Sequence, residues 1–203
     1  MSNYPIIVFE GIEGSGKTTL VNHVSKYLKK IKRDFVKFRE PGGSKNSEKI
    51  RKIILDNKSD LNSIADLFLY FASRSENYQK IIKKNYNKKI ILIDRFTDST
   101  IAYQHYGMGI NKNLIMNINN FIINKLKPNM TFINLVNKKN LKKRLKKRLK
   151  KNRYDNFTFD FYKKVQSGFI KISKKKRGYV IIDSNKELNE NKKLIIKKIK
   201  KII

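Results

Sequence analysis

The chain has 203 residues, a length that suits one α/β domain with a continuous core. It contains no Cys and only two His, which excludes disulfides and Cys-ligated zinc or iron–sulfur centres and gives no reason to expect a His-rich metal site. The formal charge is +32, yet only nine of the 48 basic residues are Arg, and the Lys are spread along the whole chain among Asn and Ile. These three residue types share A/T-rich codons, so codon bias accounts for the composition without a ligand. A nucleic-acid-binding face concentrates Arg, whose planar fork matches phosphate and guanine. No specific nucleic-acid partner is therefore expected, although the charge can help to attract anionic nucleotides.

Apolar runs alternate with longer helical patterns, which predicts βα units and a parallel sheet. The first run, Ile6–Phe9, is too short for a signal-peptide core or a membrane span, and no later run is long enough, so a soluble, cytoplasmic protein is expected. Ile6–Glu10 reads as a buried strand ending at a Gly-rich turn, Lys17–Lys30 as a helix, Phe35–Phe38 as a second strand and Arg39–Ser47 as a Pro/Gly loop. Helical patterns follow at Glu48–Leu55 and Ser63–Lys83. Ile90–Ile93 is a buried parallel strand by its Ile and Leu content, ending at Asp94. Asn111–Lys125 reads as a helix stopped near Pro128, and Thr131–Val136 as a fourth strand. Leu141, Leu145 and Leu149 recur every four residues, an apolar stripe on a helix otherwise crowded with Lys and Arg. Phe157–Lys174 is a further helix, Tyr179–Ile182 a fifth strand and Glu187–Lys200 a closing helix. Residues 1–203 show no internal repeat or linker and read as one domain.

Gly11, Ile12, Glu13, Gly14, Ser15, Gly16, Lys17 and Thr18 fit G-x-x-x-x-G-K-[ST] in full, after a strand and before a helix. Glycines let consecutive N–H groups turn inward around phosphates, and the helix N-terminus adds its positive dipole end. Lys17 can reach the β- and γ-phosphates of ATP or GTP, and the Thr18 hydroxyl can ligate Mg²⁺. The fold this predicts is a P-loop NTPase-type α/β domain, a parallel five-stranded sheet flanked by helices. Glu13 is an odd resident of an anion-binding loop. It reads either as a solvated side chain pointing away or as an acceptor for a sugar hydroxyl of a second substrate.

Asp94 closes a buried strand at the edge where α/β proteins place ligands, and its carboxylate suits Mg²⁺ held directly or through water. Arg95 follows, with bidentate donors that suit the phosphate of an acceptor; the plain alternative is a structural Asp–Arg pair. Tyr70 and Arg74 lie four apart on a helical pattern and share a face, with core packing as the alternative for Tyr70.

Four segments, Phe9–Thr19, Phe38–Gly43, Tyr70–Arg74 and Asp94–Gln104, resemble the bacterial thymidylate kinases in order and spacing, and the resemblance runs along nearly the whole chain. It implies transfer of the γ-phosphate of Mg-ATP to the 5′-phosphate of dTMP, giving dTDP for dTTP biosynthesis. Mg²⁺ is the implied cofactor, ATP and dTMP are the ligands, and a homodimer forms through helices on one side of the sheet. By the same resemblance Tyr70 stacks on thymine, Arg74 hydrogen-bonds a base carbonyl, Thr100 and Gln104 read the base edge, and Tyr103 sits beside the deoxyribose. Glu13 takes the 3′-hydroxyl, and Arg39 lies in the loop that closes over the acceptor.

Residues 141–155 resemble the family's basic lid, which supplies arginines where the phosphate loop has none. Arg144, Arg148 and Arg153 are its candidates, and Arg153 is the one expected to act with Lys17 and Arg95 in catalysis. Phe96 stands where the family usually has Tyr or His, His105 where Gly is usual, and Asp155 where Glu is common. A P-loop kinase for another acceptor and a nucleic-acid-binding protein are the competing readings.

Overall fold

The computed structural model describes residues 4–149, 152–174 and 177–203. Two residues of the expected lid, Lys150 and Lys151, lie outside the described residues. The five strands expected from the apolar runs form one parallel sheet: β1 (Ile6–Gly11), β2 (Phe35–Arg39), β3 (Ile90–Asp94), β4 (Met130–Leu135) and β5 (Tyr179–Asp183), in the order β2-β3-β1-β4-β5. β1 is buried at every position because it lies mid-sheet with both faces covered, whereas the edge strands β2 and β5 are partly exposed.

Alternation along β1 sends its side chains to two cores. Ile7 and Phe9, with Leu92 and Phe132 of the neighbouring strands, pack on Val24 and Leu28 of α1 (Lys17–Lys30) and on Ile195 and Ile199 of α9 (Leu188–Ile199). Ile6 and Val8 face the other way, with Ile91, Ile93, Phe96, Ile82 and Ile123. Beyond them lies an apolar cluster containing Leu67 and Phe71 of α3 (Ser63–Asn77), Ile115 of α6 (Lys112–Ile122) and Val165 and Phe169 of α8 (Phe159–Ser173).

The helix bounds depart from the sequence expectation where capping or backbone geometry intervenes. α2 (Lys45–Leu55) starts earlier than Glu48 because the Ser44 hydroxyl accepts from the Ser47 N–H at 3.3 Å and caps it. The helix expected over 63–83 is α3 followed by a π-turn at Tyr78–Ile82 and the short α4 (Lys83–Asn85). α6 stops before Lys125 because Asn124 and Lys125 take left-handed backbone, with φ of 48° and 55°. The leucine stripe also stops early: α7 (Lys138–Lys146) buries Leu141, but Leu149 is past its end and fully exposed. One helical stretch had no sequence assignment, α5 (Thr97–Thr100) running into a π-turn at Ile101–Gly107.

Register sets the site. Asp94 is the Cα partner of Phe9 on one side and Arg39 on the other, so the ends of β1, β2 and β3 meet on one edge of the sheet.

Candidate active site

The turn after β1 needs glycine for a steric reason. Gly11 has φ +137°, and a Cβ there would lie 2.4 Å from the carbonyl oxygen of Asn134. The loop wraps around the Lys17 ammonium, which donates to the Gly11 carbonyl at 2.8 Å, the Ile12 carbonyl at 2.7 Å and the Ser15 hydroxyl at 3.2 Å. Burial, helped by the nearby Arg95 charge, pulls its pKa down to about 7. A polyphosphate in the loop would supply the negative charge that restores the ammonium. At the start of α1 the Thr18 hydroxyl donates to Asp94 Oδ2 at 2.9 Å. Two hard oxygen donors in contact beside a phosphate loop fit Mg²⁺, which takes few protein ligands and completes its shell with phosphate and water oxygens. Among the described residues no group of three or more His, Asp or Glu converges into a metal cage.

Glu13 is not solvated. Arg95 pairs with its Oε1 at 2.7 Å, the Tyr103 hydroxyl donates to its Oε2, and the side chain is only 11% exposed. Arg95 also donates to the Gly11 carbonyl at 2.7 Å and lies over the Tyr103 ring, 5.2 Å from its centroid. Burial opposes its charge, but the Glu13 carboxylate holds the guanidinium protonated. Asp94 and Arg95 therefore point to different partners, Thr18 and Glu13, and do not form the Asp–Arg pair offered as the plain alternative.

Glu13, Lys17, Thr18, Tyr70, Arg74 and Gln104 all border one cavity of about 510 Å³. Tyr70 stands edge-on to Tyr154, ring centroids 6.2 Å apart, and burial pushes its hydroxyl well up. Arg74 is 1% exposed and already donates to Glu40 at 2.8 Å, to Asn119 Oδ1 at 2.5 Å and to the Phe96 carbonyl at 3.1 Å. A guanidinium has five N–H groups, so two remain for a ligand. Glu40 is held above the ordinary carboxylate range by burial, against the pull of Arg74. Tyr103 and Arg39 also border the cavity, Arg39 half-exposed in a 3.3 Å pair with Glu48. Thr100 is buried and does not itself border the cavity, and its hydroxyl has no partner among the described residues.

The arginines of the lid divide. Arg144 donates to the Gly14 carbonyl at 3.0 Å and the Ser184 carbonyl at 2.7 Å, which places it beside the phosphate loop, and Arg148 also lines the cavity while paired with Asp155. Arg153, the arginine expected to face the phosphates, is instead drawn away to the buried carboxylate of Asp66 and to the Ile54 carbonyl at 3.1 Å, and it does not line the cavity. Sequence reading missed Asp66, Glu40, Asn119 and Arg51, whose Nη1 donates to the Pro41 carbonyl at 2.6 Å. Glu40 lies within the Phe38–Gly43 segment without being singled out, and Asp66 left a trace as a carboxylate inside an apolar helix face.

The family model "Thymidylate kinase" matches residues 9–195. The chain belongs to the thymidylate kinase family. The thymidylate kinase of Sulfurihydrogenibium sp. (strain YO3AOP1) is 39% identical over 198 residues, covering 96% of each chain. That of Acholeplasma laidlawii (strain PG-8A) is 39% identical over 199 residues, covering 96% of this chain and 98% of its own. The crystal structure of thymidylate kinase from Ehrlichia chaffeensis superposes with a TM-score of 0.79 at 35% identity, covering 97% of this chain and 98% of that one. As a thymidylate kinase, the enzyme phosphorylates dTMP to dTDP. The same matches support the α/β fold with its five-stranded parallel sheet. No helix of the described residues is long and apolar enough to cross a membrane.

Proposed function

We propose that ATP is the phosphoryl donor, bound by the loop of residues 11–18 with Mg²⁺ at Thr18 and Asp94, and that dTMP lies along the cavity toward Tyr70. The observation that carries this reading is the pair of contacts at the end of β3. Asp94 turns to Thr18 at 2.9 Å on the donor side, and Arg95 turns to Glu13 at 2.7 Å on the acceptor side. Adjacent residues thus address two substrates that must meet in line.

Phosphoryl transfer asks for alignment, exclusion of water and compensation of charge on the transferred group. Arg95 orients the dTMP phosphate, and Glu13, fixed by Arg95 and Tyr103, takes the 3′-hydroxyl. Tyr70 stacks on the base, Arg74, Thr100 and Gln104 read its edge, Tyr103 lies beside the deoxyribose and Arg39 closes the mouth. The orphan hydroxyl of Thr100 and the two unused N–H groups of Arg74 support the base-reading assignment. Lys17 compensates charge on the transferred phosphoryl with lid arginines; Arg144 stands nearest the loop, and Arg153 anchors the far end of the lid. Thr18 and Asp94 would hold Mg²⁺, which would supply neutralisation of the phosphate charge. No general base is needed, because the attacking phosphate oxygen of dTMP is already ionised at neutral pH.

Residues 1–203 work in this reading as one cytoplasmic kinase domain that pairs with a second copy. Thr18→Ala tests the donor side. The Mg²⁺ concentration for half-maximal rate should rise about tenfold, the loss usual when a group in a metal's shell is removed, with KM for dTMP unchanged. An unaltered Mg²⁺ titration would count against the assignment.

A further inference from the structure

Asp66 lies on α3, 1% exposed, and no reading of the sequence gave it a part. Three donors converge on it: the Arg153 guanidinium on Oδ1, the Tyr154 hydroxyl on Oδ2 at 2.6 Å, and the Gln104 side-chain amide on Oδ2 at 3.3 Å. The first two come from the 3₁₀ turn at the end of the lid, Arg153–Asn156, and the third from the π-turn that borders the cavity.

We infer that Asp66 dictates which end of the Gln104 amide faces the bound base, and so acts as a positioning residue for choosing thymine over cytosine. A carboxylate paired with Arg153 can only accept hydrogen bonds, so the group of Gln104 that meets it must be Nε2. Gln104 Oε1 is then turned away from Asp66, and it has no hydrogen bond among the described residues. Gln104 borders the cavity, so an acceptor is what it offers there. Thymine and uracil present an N3–H donor to such an acceptor. Cytosine presents the bare N3 lone pair, which the acceptor repels. A glutamine free to flip would serve both, and the fixed charge of Asp66 removes that freedom. Thymine and uracil share the N3–H, so this device separates dTMP from dCMP and leaves dTMP against dUMP untouched.

The inference rests on the proposed base-reading role of Gln104, and the test separates the two. The kcat/KM values for dTMP, dUMP and dCMP are measured for wild type, Asp66→Asn and Gln104→Leu. The Asn amide can donate as well as accept, which lets Gln104 turn over. The preference for dTMP over dCMP should fall about tenfold or more in both variants, as expected when one polar match is lost, while dTMP to dUMP stays constant. If Gln104→Leu loses the preference and Asp66→Asn keeps it, Gln104 reads the base but Asp66 does not set it, and the inference fails alone. If both variants keep the preference, the base-reading role fails and takes the inference with it. An equal fall for all three nucleotides in Asp66→Asn marks a merely structural role and overturns the inference. Asp66→Ser, small enough to admit a water beside Arg153 and Tyr154, is judged by the same ratio if Asp66→Asn does not fold.

Discussion

Glu10 and Glu13 stand on either side of Gly11 and serve the site in different ways. Glu13 faces the cavity and is neutralised by Arg95, whereas Glu10 is fully buried beneath the turn that carries Arg95. It accepts from the Phe96 N–H at 2.8 Å and the Ser99 N–H at 3.2 Å, so it ties the β1 strand to the β3 turn. Burial, and after it the neighbouring Asp98, pushes its carboxyl up from 4.5 to about 7. The unfolded chain keeps the ordinary value, so between these limits the folded state holds more protons. Glu10 therefore favours the folded state at acid pH, and that contribution is lost as pH rises through 7. Glu10→Gln should remove this dependence. From pH 5 to 8 the stability of the variant should rise relative to wild type by roughly 2–3 kcal/mol in denaturant titrations without nucleotide. Glu40, raised in the same direction, affects both proteins alike and cancels in the comparison. Curves that stay parallel across that range would contradict the assignment.

At the scale of elements, α7 joins the lid to the phosphate loop through Leu141, which is buried against Gly14: a Cβ on that glycine would lie 3.1 Å from Leu141 Cδ1. Leu149, on the same sequence stripe, touches nothing that buries it. Leu141→Ala should cost about 2–5 kcal/mol of stability, and Leu149→Ala should stay within about 0.5 kcal/mol, both read by calorimetry. Equal losses would mean that the helix continues through Leu149.

The stripe shows where sequence reading runs out. Strands β1, β3 and β4 were legible because central parallel strands are continuous apolar runs, the edge strands β2 and β5 as short apolar runs between helical patterns, and α1 between a glycine loop and basic residues at its end. Thr97–Gly107 was not, because its inward face carries Ser99, Thr100 and Gln104, polar groups that break the apolar period, and because the π-turn departs from the 3.6-residue repeat. The same split holds in the site. Lys17, Thr18 and Asp94 follow from local motif context, but the Asp66–Arg153 pair spans 87 positions and is visible only once the lid folds back on α3. Arg153 rather than Arg144 was expected at the phosphates because local sequence shows a charge and not its partner.

For the whole molecule, the apolar surface left uncovered is not evenly spread. Phe68 on α3 is 53% exposed and Phe121 on α6 is 88% exposed, with Ile64, Leu114 and Met116 on the same two helices also open to solvent. A chain carrying +32 is soluble enough to tolerate scattered apolar residues, but a cluster on neighbouring helices suits burial against a second copy. The proposed homodimer places its interface here. Wild type should scatter light as a dimer, and the double variant Phe68→Lys, Phe121→Lys as a folded monomer. A monomeric wild type, or a dimer that survives both changes, would refute that interface.

The central claim is that the cavity between the phosphate loop and Tyr70 accepts dTMP. Its most direct test is ADP release from Mg-ATP by the purified enzyme with dTMP, dUMP, dCMP, dGMP, dAMP or no acceptor. The highest kcat/KM is expected with dTMP, with little release when no acceptor is present. Release that is indifferent to the acceptor, or fastest with another nucleotide, would contradict it.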